Sequence, residues 1–415
     1  MKNTILVLYI FISIASGAQN SNIDWQADIN YLKTELPKKH YNLFMVKSQE
    51  DFNNGLDLIA AQKDQLSDFE MAVKLKQLVA SMGDLHTHVS LRQFWDSNRF
   101  LPLNLMWFSE GIIVQGTTKK NEAILGGKLL ALNGIPINIV IDSLSTLATI
   151  DNMATIKNTM PKMLPLIQAL EYFGIATSDT VNLQLKNENG QTLNYMISSE
   201  STNRSNAVGV IPDPIPLCYQ NRRAFFWDHA DSKNNVYYIQ YNQCWSREHV
   251  PSGFRGNVQD LPSFAEFQNQ IIDTIKANNF NKIIFDIRFN GGGNSDQGTQ
   301  LIKELSTLKK ANKKGKLYVI IGRKTFSSAI INAMDFRNMT NAILVGEETS
   351  GKPNHLGEVK RMQLPSSGLS VQYSTKYFKR TDKDLNTITP DHIIEASFKD
   401  FKEGHDPVYE WIVNQ

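Results

Sequence analysis

Lys282-Ile283-Ile284-Phe285-Asp286-Ile287 runs directly into Arg288-Phe289-Asn290-Gly291-Gly292-Gly293-Asn294. A short apolar run that is rich in β-branched residues and closed by glycines predicts a buried strand. Three glycines in a row let the backbone come close to a ligand and present bare N–H groups, as an anion or oxyanion site requires. A flexible turn is the bland alternative for the same glycines. Outward from this segment the pattern alternates. Val236 to Tyr241, Lys316 to Ile321 and Ala342 to Val345 are expected as strands, and Ser263 to Asn278, Gly298 to Leu308 and Ser327 to Arg337 as helices. Such alternation predicts βα units around a largely parallel sheet, an α/β fold that binds ligands at the carboxyl ends of its strands.

The chain has 415 residues, a formal net charge of +2 from 43 basic and 41 acidic residues, 41% hydrophobic and 20% charged residues. That length predicts two or three domains, each with its own core. A charge so near zero, without a run of five or six like charges, disfavours nucleic acid as a partner. The first eighteen residues differ from the rest: Lys2, an apolar run from Ile5 to Ala15, and the small-residue exit Ser16-Gly17-Ala18. They predict a cleavable signal peptide and export to a periplasm or the medium, with no stable membrane insertion, since the run is too short to span. Cys218 and Cys244 are the only cysteines. Export permits them to pair, and two separate buried thiols are the equal alternative.

Residues 19–99 are expected as a helical cap. Ile29, Leu32 and Leu36 share a face, Ser67 and Glu70 have capping-box spacing, and Gly83 stands where a helix ends in a left-handed residue. After it, Leu85, Thr87, Val89 and Leu91 alternate with His86, His88 and Ser90, so a strand there would place both histidines on one face. Residues 100–200 predict a module of short strands with one helix near Met163 to Phe173. Residues 201–216, with three prolines, read as a linker, and 217–415 as the α/β domain.

Gly322-Arg323-Lys324-Thr325-Phe326 leads from a strand into Ser327-Ser328-Ala329. A serine at such a junction is often only an N-cap, but its hydroxyl also lies over a helix N-terminus, where the next N–H can stabilise an oxyanion. A nucleophilic serine needs a base. His86 is one candidate and Lys352, in Gly346 to Lys352, is another. His86 and His88 also have metal-ligand spacing, but two ligands without a third make a weak zinc site. Gly346 to Lys352 mimics a phosphate loop, yet Pro353 stands where a magnesium-binding hydroxyl belongs, so neither metal nor nucleotide cofactor is expected.

Taken together, four motifs resemble the C-terminal processing (tail-specific) serine peptidases, most closely their tricorn-core and interphotoreceptor retinoid-binding-protein-like branch. They are Gly83-Asp84-Leu85-His86-Thr87, Asp286 to Gly293, Thr325-Phe326-Ser327-Ser328-Ala329, and Gly346 to Lys352 with Thr389-Pro390-Asp391. The resemblance implies a crotonase-like catalytic domain, a helical cap and a PDZ-like module whose ligand-loop region is Leu125 to Gly134. It implies Ser327 as nucleophile, and an oxyanion hole from the Ser328 N–H with one from Gly291, Gly292 or Gly293. The branches differ over the base: Lys352 falls at one family position and His86 at the other, and His86 is favoured because an imidazole needs less pKa adjustment. Asp384 is the stand-in for a relay acid. Ile330 departs from the acidic residue found in many relatives.

The function implied is an exported serine endopeptidase acting on unfolded or C-terminally exposed polypeptides through an acyl-enzyme. A non-catalytic hydrophobic-ligand or peptide-binding protein on the same fold is the alternative. Oligomeric state is not legible in the sequence.

Overall fold

The central strand is Lys282–Asp286, and its neighbours build a six-stranded sheet in the order His392–Ile393, Ile343–Gly346, Leu317–Ile321, Lys282–Asp286, Val236–Tyr241, Phe226–Asp231. All neighbours are parallel except the last pair, which is a hairpin. These assignments come from a computed structural model that describes residues 22–250 and 254–415. The signal peptide expected at 1–18 lies outside the described residues.

Alternate residues of each strand face opposite sides, and both sides are covered, as a parallel sheet requires. Tyr237, Ile239, Ile283, Phe285, Val319 and Ile321 pack with the helices Phe264–Ala277, Ser295–Thr307 and Ser328–Met339. Val236, Tyr238, Ile284, Tyr318, Ile320 and Val345 pack with the C-terminal helix Pro407–Val413.

The N-terminal part forms three helices, Trp25–Lys39, Gln49–Ala60 and Asp68–Ala80. The third opens on the expected capping box: the Glu70 N–H donates to Ser67 Oγ at 3.3 Å and the Ser67 N–H to Glu70 Oε2 at 2.8 Å. Next comes an antiparallel sheet in the order Asn104–Phe108, Gly111–Thr118, Lys128–Leu132, Thr180–Lys186, Thr192–Ser198. Ala207–Gly209 pairs with Gly111–Thr118, so the stretch read as a linker begins inside this sheet. In place of one helix in this part, near Met163 to Phe173, there are three, Ile137–Ser145 and the neighbouring Met153–Met163 and Ile167–Tyr172. Pro165, which lacks an N–H and crowds the preceding turn, separates the last two.

Cap and antiparallel sheet share one hydrophobic core, from Trp25 to Ile197. That core also takes in Met362, Leu364, Val371 and Tyr373 from the hairpin His355–Gln363/Ser370–Phe378, far along the chain. The hairpin pairs with the two-residue strand His88–Val89, in the register His88↔Gln372 and Val89↔Val371. The strand expected around both histidines is therefore limited to His88–Val89. His86 lies on the turn before it, because Asp84 Oδ1 accepts the His86 main-chain N–H at 2.9 Å and Asp84 Oδ2 the Thr87 hydroxyl at 2.5 Å. Cys218 and Cys244 are both buried and free. Among the described residues, no helix is long and apolar enough to cross a membrane.

Asp28 fastens the first helix to the hairpin's turn. Its buried carboxylate accepts the Ser366 N–H at 2.7 Å and the Ser367 N–H at 3.0 Å. Asp28→Ala strands both donors and is expected to cost about 2–3 kcal/mol in urea unfolding; a loss within about 0.5 kcal/mol would show that the clasp adds nothing.

Candidate active site

Two loops leave adjacent strands at their carboxyl ends and are bonded to each other. The first, after Lys282–Asp286, carries Asn290 and the glycines. The second, after Leu317–Ile321, carries Ser327. Asn290 O accepts the Phe326 N–H at 3.0 Å, Ile287 O accepts the Thr325 hydroxyl at 2.8 Å, and Gly293 O accepts the Ser328 hydroxyl at 2.7 Å. Contact is close enough that a methyl group on Gly292 would lie 2.8 Å from Ser327 Cβ and 3.1 Å from the Ser328 nitrogen. Gly292 also has φ +105°, so no other residue fits there without displacing the serine.

Ser327 precedes the helix Ser328–Met339, yet its hydroxyl makes no capping bond. Its backbone has φ 54° and ψ −122°, and the Ala329 N–H donates to Phe326 O at 3.1 Å. These are the marks of a II′ turn with Ser327 at the position that normally demands glycine. A non-glycine residue held there costs about 1–3 kcal/mol and persists only where the surroundings over-determine it. Three consequences meet at this turn: the Oγ is free of a structural role, the Ser328 N–H is one of the helix-start donors with no intrahelical partner, and the glycine loop lies against both. Within that loop the Gly292 N–H already donates to Asn290 Oδ1 at 2.9 Å. That leaves the N–H groups of Gly291 and Gly293 as the loop's candidates for a second donor.

His86 stacks on Phe326, the residue before Ser327, with ring centroids 4.6 Å apart. It also stacks on His355 at 5.9 Å. The ring is buried, and its Nε2 has no partner within the protein. Burial pushes its pKa down to about 4, with Asp84 pulling the other way and His355 adding to the fall. The imidazole is thus neutral at neutral pH, and it lines a small hollow of about 60 Å³.

Lys352 lines the same hollow, with its Nζ 3.6 Å from Asp151 Oδ1. Asp151 was not singled out from the sequence. Its carboxyl is raised to about 6, by burial first, with Lys352 opposing. The Lys352 loop is stitched down beside it: Asn152 Nδ2 donates to Thr349 O at 3.0 Å, and the Thr155 hydroxyl bonds to Ser350 O. Stacking on Phe326 thus brings His86 to the residue before Ser327, Lys352 shares the hollow that His86 lines, and Gly292 lies against Ser327. Asp384 does not join them; it is exposed and lies outside the hollow that His86 lines. The carboxylate beside His86 is Asp84, which bonds the main chain of His86 rather than its ring. Burial alone would raise the Asp84 carboxyl, but donors from His40, Ser374 and Thr87 outweigh it and hold it well below the ordinary range.

Asn290, Asp84 and Asp151 are the residues that sequence reasoning missed. Asn290 had a signal, as an Asn heading a glycine turn. Asp151, in an ordinary polar break between helices, had none.

Comparison with protein families matches residues 302–394 to peptidase family S41. Comparison with curated proteins gives no match. Among solved structures the chain is similar to mature CPAF complexed with lactacystin, at 14% identity and a TM-score of 0.63, covering 94% of this chain and 96% of that one. A second structure of mature CPAF aligns at 14% identity and a TM-score of 0.61, over 94% and 95% of the two chains. At such identity the likeness is one of fold.

The strain at Ser327 has a direct readout. Ser327→Gly relieves the positive φ and is expected to stabilise the protein by about 1 kcal/mol relative to Ser327→Ala, which keeps the strain, after allowing for the unfolded-state entropy of glycine. Thermal unfolding of the pair checks it, and equal midpoints would refute the strain.

Proposed function

We propose that this chain, a serine-type peptidase of family S41, is an exported endopeptidase that cleaves unfolded or C-terminally exposed polypeptides through an acyl-enzyme on Ser327. The observation that carries the reading is the Phe326–Ala329 turn, which holds a serine with an uncommitted hydroxyl against a glycine loop, with a neutral histidine stacked on the residue before it.

In the first step Ser327 Oγ attacks the scissile carbonyl carbon while its proton passes to His86 Nε2. The carbonyl oxygen becomes the oxyanion and accepts from the Ser328 N–H and an N–H of Gly291 or Gly293. Collapse breaks the C–N bond, and the leaving amine takes the proton from His86. Water, deprotonated by His86, then releases the acid product and restores the serine. Asp84 is a positioning residue: it fixes the turn that carries His86, and its charge favours the imidazolium that forms transiently. Lys352 is paired with Asp151, which leaves His86 as the better base. The parallel sheet with its helices would be the crotonase-like catalytic unit, and the antiparallel sheet the PDZ-like module. Export rests on the N-terminal eighteen residues alone.

The test is degradation of an unstructured polypeptide by the chain lacking residues 1–18. Ser327→Ala is expected to abolish cleavage. His86→Ala and Gly292→Ala should each lower kcat by about 10²-fold or more, and Lys352→Ala by less. Cleavage by Ser327→Ala at the wild-type rate would sink the reading and favour a binding protein on this fold.

The pH profile separates the two bases. A base must be deprotonated to act, so kcat/KM is expected to hold from neutral pH down to about 5 and to fall as pH drops through about 4, where His86 takes its proton. A limb near 6 that moves in Asp151→Asn would instead assign the dependence to the Asp151–Lys352 pair, which forms as Asp151 ionises above that pH.

A further inference from the structure

A second and larger cavity, of about 280 Å³, opens over the carboxyl ends of the same strands, between them and the antiparallel sheet. Arg288-Phe289 and Gly322-Arg323-Lys324 line it, so it lies where both active-site loops begin: Lys324 is three residues before Ser327, and Phe289 two before Gly291. Its charge is lopsided. Of its cations, Lys157 is paired with Glu395, Arg323 with Glu347, and Arg288 with Asp286 and Asp406. Lys162, Arg222 and Lys324 have no acidic partner within 4 Å among the described residues.

These three are gathered around one place. The Arg222 guanidinium lies 4.7 Å over the Phe289 ring, and Lys324 Nζ is 5.9 Å from the same ring. Lys324 is half-buried, while Lys162 and Arg222 remain exposed at the solvent side. Burial lowers the Lys324 ammonium to about 8, with Arg222, Lys162 and Arg323 pressing in the same direction and Glu347, which is already paired with Arg323, opposing; Lys162 is lowered by burial and by Arg222. Like charges held together in excess of their counter-ions repel, and an anion placed among them relieves that repulsion in a partly desolvated setting. Trp107, Pro161 and Phe289 supply apolar wall beside them.

The ligand-loop region of the antiparallel sheet offers no such place. There the Gly126 N–H is spent on Val114 O at 2.9 Å and the Gly127 N–H on Ile124 O at 3.1 Å. A peptide lying across Ser327 advances about 3.3–3.6 Å per residue, so it reaches the cationic cavity within a few residues of the scissile bond.

Resting on the peptidase reading above, we propose that this cavity is a carboxylate subsite of the substrate cleft: Lys162, Arg222 and Lys324 hold a carboxylate of the polypeptide, and Trp107 and Phe289 take the apolar surface next to it. An unmodified polypeptide has two sources of that group, its terminal α-carboxylate and its Asp or Glu side chains.

The experiment measures binding of labelled peptides to full-length Ser327→Ala by fluorescence anisotropy, so it does not depend on turnover. One peptide pair differs only in a free or amidated C-terminus, and a second pair, both amidated, differs only in Asp/Glu against Asn/Gln. A preference of about 10-fold or more in Kd for the charged member is expected, from the worth of a hydrogen bond to a charged group. If it appears in the first pair the terminal carboxylate is the ligand, and if in the second the side chain is. Adding Lys324→Met, or Arg222→Met on the exposed rim, is expected to shrink that preference to about 2-fold or less. Equal binding within both pairs, or a preference that survives both substitutions, overturns the subsite. Peptide binding with this preference in a chain whose wild type cleaves nothing would keep the subsite and reject the Ser327 mechanism.

Discussion

Asn290 is wholly buried where two strand ends meet, and each of its polar groups is committed: Nδ2 donates to Tyr241 O at 2.9 Å, Oδ1 accepts the Gly292 N–H at 2.9 Å, and its carbonyl accepts the Phe326 N–H at 3.0 Å. Through these bonds one residue, by its side chain and its carbonyl, ties three neighbouring strand ends together. Each bond is worth only about 0.5–1.5 kcal/mol net, but leaving any of the groups unpaired in that interior costs more. Once Phe326 is pinned to Asn290 and a helix begins at Ser328, the residue between them must turn through a positive φ. Ser327 takes that conformation because the loops around it are already fixed, and it keeps its hydroxyl unbonded for the same reason.

The histidine arrives by a different route. Nothing local carries it to the serine; the hairpin His355–Gln363/Ser370–Phe378 does, by pairing with His88–Val89 while burying its apolar face in the N-terminal core. Asp84 completes the junction, accepting from His40, Thr87, Ser374 and the main chain of His86 in one buried cluster. A fixed carboxylate near the ring, but not bonded to it, favours the charged form without outweighing burial, so the imidazole stays neutral.

The segment Lys324–Phe326 divides two electrostatic settings. On the Phe326 side is a small hollow, where burial keeps His86 neutral and a buried carboxyl partners Lys352. On the Lys324 side is a larger cavity with cations in excess.

By itself the sequence determined the elements that depend on local order: the alternating strands and helices of the sheet, the Ser67 cap, the glycine loop, and Ser327 at a strand-to-helix junction. Periodicity and turn chemistry act over a few residues, so they can be read in one dimension. It also marked His86 and Lys352 as residues worth a base's role, but not how they are held. That was decided by tertiary structure, because the hairpin that fixes His86 and the Asp151 that pairs with Lys352 lie hundreds of residues away in sequence. Tertiary structure likewise left Asp384 exposed and brought the unpaired cations of the larger cavity together, whereas the place of His86 on a turn before the strand His88–Val89 is set locally by Asp84. Burial and long-range contact set the protonation of a side chain, and neither is written in its neighbours along the chain.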